Sequence, residues 1–240
     1  MSLSATFTEA FNFFKNHFKQ LAVITVPFIL IMNAIQMWIG GQIRAVSQDN
    51  PEFSSMTLVA VMAMMLVFSW LFSSLTLFLE VRSQGHEPNA RQIWFNGLHF
   101  IPAMLLAAVF SGLAIAGPFF ILMAALKELG ALIGLAIALF IGTRLTYVNF
   151  MVVSERLTPM KAIKSSWKLS GPIILPTLGI VVLYMPLSLI GGALAQITSQ
   201  AGMPVQLIGD TVVTFFGLFI NIALFRLYML NRGNLSEGED

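Results

Sequence analysis

Residues 101–153 read IPAMLLAAVFSGLAIAGPFFILMAALKELGALIGLAIALFIGTRLTYVNFMVV, with Lys127, Glu128 and Arg144 as the only charged side chains. A helix of about 20 apolar residues crosses the roughly 30 Å hydrocarbon core of a bilayer. Lys127-Glu128-Leu129-Gly130 therefore divides this stretch into two expected crossings, about 101–126 and 131–153, joined by a very tight turn. A re-entrant hairpin is the alternative at that turn. The runs are continuous rather than alternating, which excludes strands of a transmembrane barrel.

Outward from this stretch, four more runs have the same character: about 21–43, 56–79, 173–197 and 205–230. The first is longer than the apolar part of a secretory signal and is read as a retained anchor. Over 240 residues, 57% are hydrophobic and 10% charged, against roughly 25% charged in a soluble domain. So few charges cannot furnish the polar shell that a water-soluble fold of this size needs. The expected fold is all-α: a polytopic membrane bundle of six transmembrane helices, forming a single domain over residues 1–232. The acidic tail, residues 233–240, is too poor in apolar side chains to pack and is expected to be disordered.

Lys and Arg counts set the expected orientation. Lys15, Lys19, Arg82, Arg91, Arg156, Lys161, Lys164, Lys168, Arg226 and Arg232 fall on one side of the six crossings. Only Arg44 and Lys127 fall on the other. That bias places both termini in the cytoplasm.

Three cytoplasmic segments have helical amphipathic spacing. In the first, Phe7, Phe11, Phe14, Phe18 and Leu21 form one stripe, and Thr6 with Glu9 has capping-box spacing. In the second, Ala90, Ile93, Trp94, Gly97, Leu98 and Ile101 share a face behind Asn89, a candidate cap. The third opens with Thr158-Pro159, an N-cap followed by proline at the first helical position. There Met160, Ile163 and Trp167 fall in one arc and Lys161, Lys164 and Lys168 in the adjoining one. Such a helix suits the headgroup plane, with lysine stems along lipid and ammonium groups in water. Aligning Phe14, Trp94 and Trp167 suggests a threefold internal repeat of one interfacial helix and two spans. Convergence on a common surface pattern explains the same spacing.

Arg144 is the sharpest intramembrane feature, since an arginine at mid-span costs about 2.5–3.5 kcal/mol on insertion scales. Two readings offset that cost. In one, Arg144 binds an anion or lipid headgroup; in the other, it reaches backbone carbonyls, Asn149 or Tyr147, or snorkels to the interface. Asn33, Gln36 and Asn221 are candidate interhelical hydrogen-bonding groups. Gly130, Gly134, Ala138 and Gly142 form a stripe that admits a close neighbour, either within the chain or from a second copy. Gly117-Pro118 and Pro186 interrupt the third and fifth crossings.

The chain has no cysteine, which excludes disulfides, thiolate metal sites and thiol nucleophiles. His17, His86 and His99 lie in separate segments, and no HExxH, GxSxG or Walker-type loop occurs. Acid–base groups near the interface amount to Glu80, Glu87, Glu155 and the histidines. No cofactor, no metal and no enzymatic activity are expected. The lysine cluster sits beside a tryptophan and a span, which points to anionic lipid and away from nucleic acid. The candidate lipid-headgroup or anion residues are thus Arg144, Lys161, Lys164, Trp167 and Lys168.

Asn12-Phe13-Phe14-Lys15-Asn16-His17-Phe18 resembles the opening of the YciC family of bacterial inner-membrane proteins. Phe225-Arg226-Leu227-Tyr228-Met229-Leu230 is similar to that family's closing motif. Residues 160–169, MKAIKSSWKL, resemble its central signature through Ala162, Ser165 or Ser166, and Leu169. The same region, with Arg144-Leu145 upstream, also resembles the membrane domain fused to some glycerophosphodiester phosphodiesterases, whose chemistry belongs to a separate soluble domain. The resemblance implies a multi-pass protein of the bacterial inner membrane and brings no catalytic residues. The expected function is a non-enzymatic scaffold, partner or lipid-interacting subunit in envelope or lipid homeostasis. Its expected partners are anionic headgroups of the cytoplasmic leaflet, and another membrane protein or a second copy. A transporter or channel for a small anionic or amphipathic solute, with Arg144 in the site, is the alternative.

Overall fold

The computed structural model describes residues 3–45 and 54–233. Apart from Gly233, the acidic tail expected to be disordered lies outside them. The described residues form ten α-helices and no strand: α1 (Leu3–Asn16), α2 (Phe18–Ala45), α3 (Ser55–Ser83), α4 (Ala90–Leu98), α5 (Ile101–Leu145), α6 (Val148–Ser154), α7 (Pro159–Ser170), α8 (Ile174–Val181), α9 (Tyr184–Gln200) and α10 (Met203–Asn231). Among them, five stretches are long and apolar enough to cross a membrane: Phe18–Ile43, Ser55–Ser83, Ile101–Ser154, Ile174–Gln200 and Met203–Asn231. The chain thus reads as a multi-pass, all-α membrane protein.

The ends follow local chemistry. The Thr57 amide donates to Ser54 Oγ at 3.2 Å to open α3. The Arg91 amide donates to Asn89 Oδ1 at 3.0 Å to open α4, as its sequence promised. Thr158 and Pro159 take the cap and first positions of α7, although the threonine side chain makes no capping bond. The Thr6–Glu9 capping box is not one: α1 already begins at Leu3, so Thr6 is internal, and it is buried.

The chain gathers into two compact units. One combines Asn12–Ile101 with Tyr184–Phe219. In it α2 packs along α3, and Phe28 lies 4.9 Å from the Trp70 ring. Pro27 stands inside α2, where it has no amide to offer the Val23 carbonyl. Trp94 Nε1 donates to the nearby Ile24 carbonyl at 3.1 Å. Trp70 Nε1 in turn donates to the Trp94 carbonyl at 2.9 Å, and Ser73 Oγ to the Gly97 carbonyl at 3.0 Å. Three donors thus tie α4 to α2 and α3. Asn33 bridges α2 to α10, its Nδ2 donating to Thr211 Oγ1 at 3.3 Å.

The same unit holds an antiparallel pair, α9 and the first half of α10, turning at Gly202 with φ of +101°. A methyl at Gly191 would stand 3.3 Å from Val213, at Gly209 3.1 Å from Thr198, and at Gly217 2.8 Å from Leu187. Glycine lets these helices approach closely. The fifth expected crossing is interrupted at Val182–Leu183, between α8 and α9. Four residues on from Val182, Pro186 has no amide to offer its carbonyl.

The other unit combines Met1–Phe11, Pro102–Leu183 and Ile220–Asp240. Its core is aromatic. Phe150 meets Phe225 edge-on at 5.4 Å, and Tyr147 stacks on Tyr228 at 6.2 Å. Tyr228 donates from its hydroxyl to Glu155, and Tyr147 shares a hydrogen bond of 2.6 Å with Thr177. The turn expected at 127–130 is sharper than a loop. Lys127 alone leaves helical geometry, with φ of 52° and ψ of −126°, a region disfavoured for residues with a Cβ. Beyond it the chain doubles back. A Cβ at Gly130 would lie 1.9 Å from the Leu122 carbonyl oxygen, at Gly134 3.0 Å from Phe119 Cα, and at Gly142 3.8 Å from Ile115. The small-residue stripe is therefore used within the chain, against the arm before it.

The aromatic stripe of the first segment needs correction. Thr6, Ala10, Phe13 and Phe14 are the buried face of α1, while Phe11 and Phe18 are exposed. An alternative face of helical period runs through Thr6, Ala10 and Phe13, where small side chains allow closer packing than bulky phenylalanines.

The hairpin makes a graded prediction for thermal unfolding in mild detergent. Gly130→Ala forces backbone to shift and lowers stability by about 1–3 kcal/mol or more. Gly142→Ala, an ordinary van der Waals contact, changes it by a few tenths at most. Equal effects would contradict the close approach at Gly130.

Candidate functional site

α7 carries three different faces on twelve residues. At about 100° per residue, Ala162, Ser166, Leu169 and Ser170 share one arc, and all four are buried. Met160 and Trp167 occupy the next arc and are exposed, Trp167 at 41%. Lys161, Lys164 and Lys168 fill the third and are also exposed. The helix thus turns two serines, an alanine and a leucine to the protein and leaves an apolar pair and three ammonium groups exposed on separate arcs. Two of these arcs were legible as the amphipathic pattern; the third, buried one was not.

The buried arc grips Arg144. This residue stands in the last turn of α5, where carbonyls lack an intrahelical partner. Ser166 Oγ donates to the Arg144 carbonyl oxygen at 2.8 Å. Ser170 Oγ lies 3.1 Å from the same oxygen and also 2.7 Å from the Ser166 carbonyl. The side chain is held separately. Its Cζ lies over the Trp167 ring, 4.6 Å from the centroid, and Phe140, one turn earlier on α5, meets that ring edge-on at 6.0 Å. A guanidinium over an indole face gains about 0.5–2 kcal/mol. Gly171 closes the third side: a Cβ there would stand 3.1 Å from Arg144 Nη1.

What this seat leaves open is the guanidinium's hydrogen bonding. Arg144 Nε is sealed from solvent and has no partner. No side chain or carbonyl among the described residues accepts from Nη1 or Nη2, which are not sealed. Tyr147, considered as a partner from the sequence, pairs instead with Thr177, and Asn149 does not bond Arg144 either. The structure therefore brings Arg144 and Trp167 into contact and sets the three lysines on the same helix, on the arc beside the tryptophan. Ser166, Ser170 and Gly171 complete the seat and were missed as its parts. The resemblance signature had contained Ala162, Ser165 or Ser166, and Leu169, so a signal was present but carried no packing information.

Trp94 and Trp167, aligned in the threefold scheme, play different parts. Trp94 uses Nε1 on the Ile24 carbonyl, whereas Trp167 presents its face to a cation. In α4 the exposed cation–π pair is Arg91 over Phe95, at 5.7 Å. Comparison with models of known families, with characterised proteins and with solved structures gives no match.

Because two hydroxyls share one acceptor, their loss is expected to be non-additive. Ser166→Ala or Ser170→Ala alone costs about 1 kcal/mol or less. The double variant costs more than the two single effects together, read as the melting temperature in detergent. Simple additivity would contradict a shared carbonyl.

Proposed function

We propose that the chain is a bacterial inner-membrane protein of the YciC type, crossing the bilayer six times with both termini in the cytoplasm. In this reading it serves as a non-enzymatic scaffold or lipid-interacting subunit in envelope or lipid homeostasis, holding anionic lipid of the cytoplasmic leaflet along α7. The reversal at Lys127 supports six crossings, since Ile101–Ser154 then supplies two antiparallel arms. The Lys and Arg excess on the side of α7 supports the orientation. A threefold repeat fits the order of elements, with α1, α4 and α7 each preceding a pair of crossings.

The observation that carries the lipid reading is the division of α7 into three faces. A surface helix whose lysines and tryptophan were free to swivel would bind weakly. Here Ser166 and Ser170 fix the helix to the end of α5, so the exposed lysines and the exposed apolar pair keep one orientation. That arrangement matches a boundary with acyl chains on one side and headgroups on the other.

Each lysine close to an anionic surface contributes about 1 kcal/mol. Replacing all three, in K161Q/K164Q/K168Q, is expected to lower the enrichment of anionic over neutral lipid around the reconstituted protein by at least about tenfold. The wild-type enrichment should also weaken as salt is raised. An unchanged enrichment in the triple variant would refute the assignment of α7 as the lipid-holding face.

A further inference from the structure

Beyond the diffuse attraction of three lysines, α7 and the end of α5 enclose a discrete group with unspent hydrogen-bonding capacity. We infer that the Arg144 guanidinium, seated against Trp167, is a phosphate-binding subsite taking one phosphate group per chain. This inference rests on the reading of α7 as a lipid-holding face and names the chemistry recognised there.

A guanidinium carries five N–H donors in one plane and is always charged. In water each donor is satisfied, and in protein an arginine near hydrocarbon ordinarily finds carboxylates or carbonyls. Here the Nε donor is sealed and unpartnered, and no acceptor among the described residues meets Nη1 or Nη2. The one contact that holds the charge is the indole face at 4.6 Å. With no acceptor on Nη1 or Nη2 among the described residues, the fork stays available to an oxyanion.

The surroundings keep that fork fixed and open. The Arg144 backbone is tied by Ser166 and Ser170, and the Trp167 ring is braced by Phe140. At position 171 the absence of a side chain leaves Nη1 uncrowded, since a Cβ would already press to 3.1 Å. Lys164 and Lys168 flank Trp167 on the exposed side of α7, adding positive charge beside the fork. A planar donor fork matches two oxygens of a phosphate in parallel hydrogen bonds. Phosphate is also the anionic group that every phospholipid headgroup carries. The same chemistry is offered by free phosphate in solution, and the two sources are separated below.

The test uses the full-length protein in nanodiscs of a neutral galactolipid, which carries no phosphate, containing either phosphatidic acid or an anionic lipid whose charge is a carboxylate without phosphate. Native mass spectrometry after gentle release counts the lipids retained per chain. Wild type is expected to retain one phosphatidic acid and to hold the carboxylate lipid at least about tenfold more weakly. Arg144→Gln should lose about tenfold or more in phosphatidic acid retention. Gly171→Ala, which crowds Nη1 but keeps the charge, should lower retention with the helical circular dichroism unchanged. It provides the readout if Arg144→Gln does not fold. Added inorganic phosphate that displaces the retained lipid assigns the subsite to soluble phosphate; failure to displace it assigns the subsite to the headgroup. Retention unaltered in a folded Arg144→Gln or in Gly171→Ala, or equal retention of both lipids by wild type, overturns the inference. K161Q/K164Q/K168Q separates the two readings. Lowered bulk enrichment, together with a one-to-one retention that falls less than in Arg144→Gln, is the expected pattern. Unchanged bulk enrichment sinks the α7 surface reading, while the Arg144 variants still decide the subsite.

Discussion

Hydrocarbon offers no hydrogen bonds, so each backbone amide and carbonyl of a crossing segment must find its partner inside the protein. Helices satisfy most of that demand by themselves. What remains lies where a helix ends or is interrupted, and some side chains reach a long helix from a neighbouring one. Trp94 reaches the Ile24 carbonyl, three residues before Pro27 in α2. The end of α5 frees the Arg144 carbonyl, and Ser166 with Ser170 meets it. In both cases a short helix outside the main crossings is docked through a backbone carbonyl of a long helix. The direction of docking is thus set by backbone chemistry, with apolar packing filling in around it.

The two docked helices then diverge. α4 turns its tryptophan inward and spends the indole N–H on backbone. α7 leaves its tryptophan exposed, with the ring against the Arg144 guanidinium, and lines its third face with lysines. The difference lies in which face carries small polar residues. α7 buries serines and can therefore present its tryptophan. α4 buries Ile93 and Gly97, whose lack of a donor leaves Trp94, Trp70 and Ser73 to supply the bonds. The chemistry available for a ligand follows from that distribution.

Hydropathy alone was enough for the helices, because hydrocarbon demands long apolar runs and long apolar runs are visible in one dimension. The hairpin at Lys127 was legible as well, from a polar tetrad flanked by a glycine stripe. The faces of the short helices were harder. Phe7, Phe11, Phe14, Phe18 and Leu21 form a regular stripe, yet only Phe14 and Leu21 of it are buried, beside Thr6, Ala10 and Phe13, while Phe11 and Phe18 stay exposed; in a membrane a phenylalanine is equally content against lipid. The usual rule that apolar means buried loses its force there. Arg144, Trp167 and the lysines stood out by residue type, but Ser166, Ser170 and Gly171 did not. Serine and glycine acquire meaning only from the carbonyl or guanidinium placed opposite them, and that is a tertiary fact.

The central claim is that lipid surrounds these helices, with α7 on the cytoplasmic side and the Lys127 reversal on the other. A chain without cysteine permits that claim to be tested with single reporters. Lys168→Cys and Glu128→Cys, each expressed alone in cells, are exposed to a membrane-impermeant maleimide before and after permeabilising the inner membrane. The account predicts that position 128 reacts in intact inner membranes and position 168 only after permeabilisation. Labelling of both from the same side would contradict it.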